Sequence, residues 1–295
     1  MSSILDLYCV KKTHTGSGAL EVHTLTAASG YQTFGLHTPT TITQADALNM
    51  DFSIGNYNGE GTPDLFCLKR TNTATGKLEV HVLTASSNYQ DRGTEIGTPI
   101  TEADAKNFDF AIQDYNTPLA ADLFCLKRTG TGTGSLEVHV LSGVSLYQTF
   151  LLHIGTPFTE AQAADFRFGL GYNWATGIPD IYCFKVQNCY SKMLEVWILN
   201  GYSKYQNFRM FWGTPISQAD AANFDFALGY VQGSNTPDLY CFKKTNPGSG
   251  SLEVHVLTSA SKYQAFVMHT GTPIVQADSL NFSYGLPAVQ EFKWF

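Results

Sequence analysis

The stretch from Asp64 to Ile112 changes its hydrophobic patterning segment by segment. Asp64-Leu65-Phe66-Cys67-Leu68-Lys69-Arg70 is a short continuous apolar run with charged ends, the form of a strand buried on both faces. The turn Thr71-Asn72-Thr73-Ala74-Thr75-Gly76 follows. In Leu78-Glu79-Val80-His81-Val82-Leu83, Leu78, Val80 and Val82 then alternate with Glu79 and His81, which predicts a second strand by its period of two. A third strand is predicted to begin at Tyr89-Gln90, and is clearer as Tyr147-Gln148-Thr149-Phe150-Leu151-Leu152. The connector Gly97-Thr98-Pro99-Ile100-Thr101-Glu102-Ala103-Asp104, expected to hold at most a short helical turn, leads to a fourth strand, Phe108-Asp109-Phe110-Ala111-Ile112.

Near copies of the Asp-Leu-Phe-Cys-Leu-Lys run begin at Asp6, Asp64, Asp122, Asp180 and Asp238, 58 residues apart each time. A fixed period of this size marks a repeat architecture. Five repeats, 6–63, 64–121, 122–179, 180–237 and 238–295, with four antiparallel strands each, predict an all-β fold, a five-bladed β-propeller forming a single domain over 1–295. A copy of the fourth strand, Phe282-Ser283-Tyr284-Gly285-Leu286, ends the series. If the fourth strand is innermost, this copy joins the N-terminal blade and closes the ring by main-chain hydrogen bonds. The tail with Phe292, Trp294 and Phe295 is expected to pack over that joint.

Composition narrows the chemistry. The 295 residues are 43% hydrophobic and 13% aromatic but only 15% charged, against roughly 25% charged in an average globular protein. A net charge of −7 without a basic cluster argues against nucleic acid, which needs grouped Lys and Arg. No run approaches the length of a spanning helix, so no membrane insertion is expected. The start, Met1-Ser2-Ser3-Ile4-Leu5-Asp6, has no legible secretory signal. The expectation is a cytoplasmic protein, or one secreted without a signal peptide. Cys9, Cys67, Cys125, Cys183 and Cys241 occupy one place in each unit and read as small core residues, with Cys189 the exception.

In the loop Asn56-Tyr57-Asn58-Gly59-Glu60-Gly61-Thr62-Pro63-Asp64, Asn56, Asn58, Glu60 and Asp64 supply side-chain oxygens at spacings a calcium ion requires. The other reading is a tight turn in which the recurring Asp accepts backbone N–H groups. Phe52 to Leu65 resembles the FG-GAP or VCBS-type repeat of integrin α-chain and microbial propellers, with Asn56 and Glu60 where that family has Asp. The resemblance implies a calcium-binding loop between two blade strands. The equivalent loops, beginning at Asp114, Gly171 and Gly229, keep less of the pattern.

Further sets recur once per unit. Lys11, Lys69, Lys127, Lys185 and Lys243 face Glu21, Glu79, Glu137, Glu195 and Glu253 across the predicted hairpin, either as ion pairs or as a carboxylate poised for ligand hydroxyls. His23, His81, His139, Trp197 and His255 lie two positions beyond each Glu, as buried polar residues or as ligand contacts. No His/Cys pattern suggests zinc. Tyr31, Tyr89, Tyr147, Tyr205 and Tyr263 suit stacking on a sugar or packing at a rim. Asp46, Asp104, Asp220 and Asp278, with Gln162 breaking the series, could receive sugar hydroxyls or cap a turn.

Nucleophile elbow, zinc-protease and phosphate-loop motifs are all missing from the sequence, and a glycosidase-type site would need different residues on different blades. Repetition instead favours avidity. The layout resembles the microbial and fungal β-propeller lectins, which implies a non-catalytic multivalent protein whose partners are glycans or glycoproteins bound between blades. The alternatives are a protein-interaction or structural propeller, and a glycan-active enzyme. Unit four, with Trp197 and the hairpin Asn188-Cys189-Tyr190-Ser191-Lys192, is expected to carry an altered or lost pocket.

Overall fold

The structure is a computed structural model that describes residues 5–57, 61–115, 120–172, 177–231 and 236–287. Among these, twenty strands form five four-stranded antiparallel sheets. Blade two shows the plan, running from the innermost strand Met50–Gly55 through Asp64–Lys69 and Lys77–Leu83 to the outermost strand Arg92–Thr101. Blade one takes Phe282–Gly285 as its innermost strand and continues with Leu7–Lys11, Ala19–Leu25 and Phe34–Thr43. The register of closure sets Cys9 opposite Tyr284 and Lys11 opposite Phe282. Each innermost strand touches those of both flanking blades, including Phe282–Gly285 against Met50–Gly55, so the ring is shut.

The core lies between blades. Along Asp64–Lys69 successive side chains point to opposite faces: Phe66 and Leu68 pack toward Leu123, Cys125 and Leu141 of blade three, whereas Leu65 and Cys67 pack toward Tyr8, Val10 and Val22 of blade one. A strand covered on both sides needs no polar alternation, hence the continuous apolar run. All six cysteines are buried and free.

Two expectations change. The third strand of each unit starts later and runs further than the sequence pattern suggests, over Arg92–Thr101 and Phe150–Thr159 for example, and it takes in the Gly-Thr-Pro segment assigned to the connector. Proline is tolerated there because this is the outer edge strand, at a register shift where its missing N–H interrupts no ladder. The short helix follows as Glu102–Ala105, capped by the Thr101 side chain accepting from the Asp104 amide.

The recurring tyrosines do not open strands either. Tyr31, Tyr89, Tyr147, Tyr205 and Tyr263 have φ between 60° and 65° in the turn before the outermost strand. Such a conformation costs on the order of 1–3 kcal/mol in a non-glycine residue. Burial of the whole ring offsets it, as does the hydroxyl, which donates to the backbone carbonyl of the residue before the repeat's Asp: Leu5, Pro63, Ala121, Pro179 and Pro237, at 2.9–3.3 Å. The following Gln reaches to the preceding blade, Gln148 Nε2 donating to Gly97 O at 2.8 Å and Gln206 Nε2 to Gly155 O at 2.7 Å. Gln32 does the same to Gly271 across the closure.

The repeat's Asp holds the two ends of a blade together. Asp122 Oδ2 accepts from Tyr115 N at 2.9 Å and Oδ1 from Gly143 N at 2.8 Å, and Asp64 and Asp238 do the same in their blades. Asp122→Ala leaves two amides without their charged acceptor and is expected to cost about 3 kcal/mol in urea unfolding, at roughly 1.5–3 kcal/mol per bond to a charged group. A change below 1 kcal/mol would remove the Asp from this role.

Candidate functional site

Glu21, His23 and Leu25 alternate on one strand and share a face, and Leu25 packs with Phe242, Val254 and Val256 of blade five. Glu21 and His23 therefore look into the groove between blade one and the blade before it. Their cross-strand partners complete the site. His23 pairs with His37 on the outermost strand, and Glu21 with Lys11 on the other side.

The distances repeat around the ring. His23 Nε2 lies 3.2 Å from Glu21 Oε2, His139 3.1 Å from Glu137 and His255 3.2 Å from Glu253. A second imidazole lies beyond the same oxygen, His37 at 3.7 Å, His153 at 3.8 Å and His269 at 3.7 Å. The paired rings are 4.0–4.1 Å apart at their centroids. The inner His is buried, while His37 is 62% exposed on its side chain. Glu21 Oε1 accepts from Ser17 N at 3.1 Å and Ser17 Oγ at 2.8 Å, so the hairpin orients the carboxylate. Equivalent amides of Thr133 and Ser249 hold Glu137 and Glu253.

Beside each buried His stands a half-exposed phenylalanine at the start of the outermost strand: Phe34, Phe150 and Phe266, with ring centroids 5.8–5.9 Å from His23, His139 and His255. Blades two and four depart from this pattern. In blade two His81 Nε2 meets Glu79 at 3.2 Å, but Glu95 replaces the outer imidazole and is paired with Arg92. In blade four Trp197 Nε1 donates to Glu195 Oε2 at 3.2 Å and its ring lies 4.4 Å from Phe211.

The Lys–Glu pairing read from the sequence is corrected. Lys and Glu are opposite in register, yet Lys11, Lys69, Lys127 and Lys243 bind Asp278, Asp46, Asp104 and Asp220 at 2.8–2.9 Å, because the short helix brings each Asp over the strand end. Lys185, opposite Gln162 in the series, lies over the Tyr190 ring at 4.9 Å. The tyrosines are closed off from solvent, so their rings offer no stacking face. The fold also brings together groups that no sequence pattern marked. Glu21, His23 and His37, with the sets in blades three and five and Glu79, His81 and Glu95 in blade two, each bring three ligand atoms within 4.8 Å of one another. His37, His153 and His269 stand fourteen positions after the inner His in each case. That signal was present in the sequence, but it becomes a pairing only once the bulged register is known. Of the proposed calcium loop, Asn58 and Glu60 lie outside the described residues. Asp64 uses both oxygens on backbone amides, as the turn reading requires.

Compared with family models and with curated protein sequences, the chain finds no match. The FG-GAP resemblance thus rests on the loop residues alone.

Electrostatics follow from burial. Burial alone would raise Glu21, Glu79, Glu137 and Glu253, but the hairpin donors and the adjacent imidazole outweigh it and hold these carboxyls below their ordinary value. Burial lowers His23, His139 and His255, and the facing His37, His153 and His269 lower them further. Asp114, at the head of the blade-three loop, is pushed up to about 7 by burial and by Asp122.

A lowered histidine disfavours the charged form in the fold. Its stabilisation is complete above the ordinary imidazole value of 6.5 and is lost as pH falls through the lowered folded value. The glutamates act in a lower window, stabilising above 4.5 and failing as pH falls beneath it. The thermal midpoint is therefore expected to drop as pH falls below about 6.5, and the triple change His23→Gln, His139→Gln, His255→Gln to flatten that drop. An unchanged slope in the triple variant would contradict this assignment.

Proposed function

We infer that the chain is a non-catalytic, multivalent carbohydrate-binding protein whose sites are the grooves between blades. The observation that supports this most is the threefold recurrence, on blades one, three and five, of a half-exposed phenylalanine beside an exposed imidazole and an oriented carboxylate. A flat apolar face with polar groups along one edge suits a sugar ring, whose own faces are apolar and whose rim carries hydroxyls. The half-exposed Asp278, Asp104 and Asp220, each held by a Lys, add acceptors near the same groove. Burial alone would raise these three, but the bonds from Lys and from Asn281, Asn107 and Asn223 outweigh it and hold each carboxyl below its ordinary value. Equal sites around one ring raise avidity without any new contact.

A second reading, a protein-binding propeller, is favoured at blade four. There Phe208 and Phe211 are exposed beside Trp197, with Tyr190 and Tyr202 also exposed, and no outer imidazole accompanies them.

Glycan-array binding and red-cell agglutination test the first reading. The wild-type chain is expected to score on both. Phe34→Ser, Phe150→Ser and Phe266→Ser are expected to weaken binding step by step, reaching about 10²–10⁴-fold when combined, the size of a multivalent gain. A clean negative on both assays would sink the lectin reading, and an all-or-none loss from one substitution would point to a single site.

A further inference from the structure

Six of the eight histidines in the chain fall into three equivalent clusters, each with one glutamate. In each cluster one carboxylate oxygen lies 3.1–3.2 Å from the buried imidazole nitrogen and 3.7–3.8 Å from the exposed one. Around a tetrahedral ion with bonds of about 2.0–2.1 Å, neighbouring ligand atoms stand about 3.3 Å apart. The inner pair already has that spacing. The outer imidazole, three-fifths exposed, stands 3.7–3.8 Å from that oxygen, all three ligand atoms lie within 4.8 Å of one another, and the exposed ring is free to move in as an ion draws them together.

The support of the carboxylate is also in place. The second oxygen of each glutamate is fixed by hairpin donors, Ser17, Thr133 or Ser249, so the first oxygen is aimed at the imidazoles. Ligating carboxylates are typically held in this way by outer-shell hydrogen bonds. The buried position of the inner imidazole favours its neutral form, the one with a lone pair to offer.

We propose that blades one, three and five each bind one divalent cation of the zinc, nickel or copper class. The ligand sets are Glu21, His23 and His37; Glu137, His139 and His153; and Glu253, His255 and His269. Two imidazoles with one carboxylate suit these borderline ions better than calcium or magnesium, which take oxygen ligands. Three protein ligands leave a further coordination position on the solvent side, where the outer His stands.

The remaining blades act as internal controls. Blade two keeps Glu79 and His81, but its third ligand, Glu95, is already paired with the cation of Arg92. Blade four has Trp197 and Phe211 at the two imidazole positions and retains only Glu195. Among the described residues the ring is thus expected to hold three ions.

The test uses the untagged full-length chain, stripped with a chelator and dialysed, then titrated with zinc chloride by calorimetry in the absence of any sugar. Three ions per chain are expected. His37→Ala, His153→Ala and His269→Ala change exposed rings and are expected to fold normally, which the thermal midpoint without zinc checks. Each is expected to remove one ion, and the three together all of them. Arg92→Phe combined with Glu95→His is expected to add a fourth. A count other than three in the wild type, or a triple variant that still binds zinc, overturns the proposal. The readout is metal alone, so it stands or falls separately from glycan binding.

Discussion

Each blade of this ring is a sheet with two apolar faces, and only another such sheet can cover it. The strand Asp64–Lys69 shows the constraint most directly, with Phe66 and Leu68 committed to one neighbour and Leu65 and Cys67 to the other. An isolated blade would expose both faces, and an open row of blades would expose two. Closure follows from this requirement. Pairing Phe282–Gly285 with Leu7–Lys11 gives blade one its innermost strand, and Gln32 ties the same joint at the outside. In blades two, three and five the buried Asp of the repeat then fixes the loop ahead of the strand to the turn beyond it, by backbone amides at both carboxylate oxygens.

On the strand beside the outermost one, the alternation of Val with Glu and His places carboxylate and imidazole along a groove between blades. Their burial is tolerated because each has a partner: the glutamate is held by the hairpin and the imidazole by the glutamate. The second ring nitrogens of His23 and His81 are buried without a hydrogen bond, His81 Nδ1 lying 3.7 Å from Glu95 Oε2. The same geometry explains why the sites are graded. Exchanges at the two imidazole positions, Glu95 for the outer His in blade two and Trp197 with Phe211 for both in blade four, change the chemistry of a groove without disturbing the blade.

The architecture was legible because it depends on local pattern. Strand period, turn residues and a strict 58-residue repeat are all written in short segments. The site was half legible. Glu21 and His23 share a strand, and alternation alone puts them on one face. His37 enters through a bulged pairing whose register no local pattern reveals. Lys11 was assigned to Glu21 because register places them opposite, whereas a four-residue helix from the far end of the chain delivers Asp278 instead. For Tyr31 the sequence leaves stacking and packing open, because a left-handed tyrosine turned into the core leaves no trace in hydropathy.

The central claim is that the grooves of blades one, three and five are equivalent ligand sites while those of two and four are not. Diffraction from crystals soaked in mixed monosaccharides tests it most directly. The account requires sugar density in three grooves, against Phe34 and His37, Phe150 and His153, and Phe266 and His269. Density confined to other surfaces, or filling all five grooves alike, would contradict it.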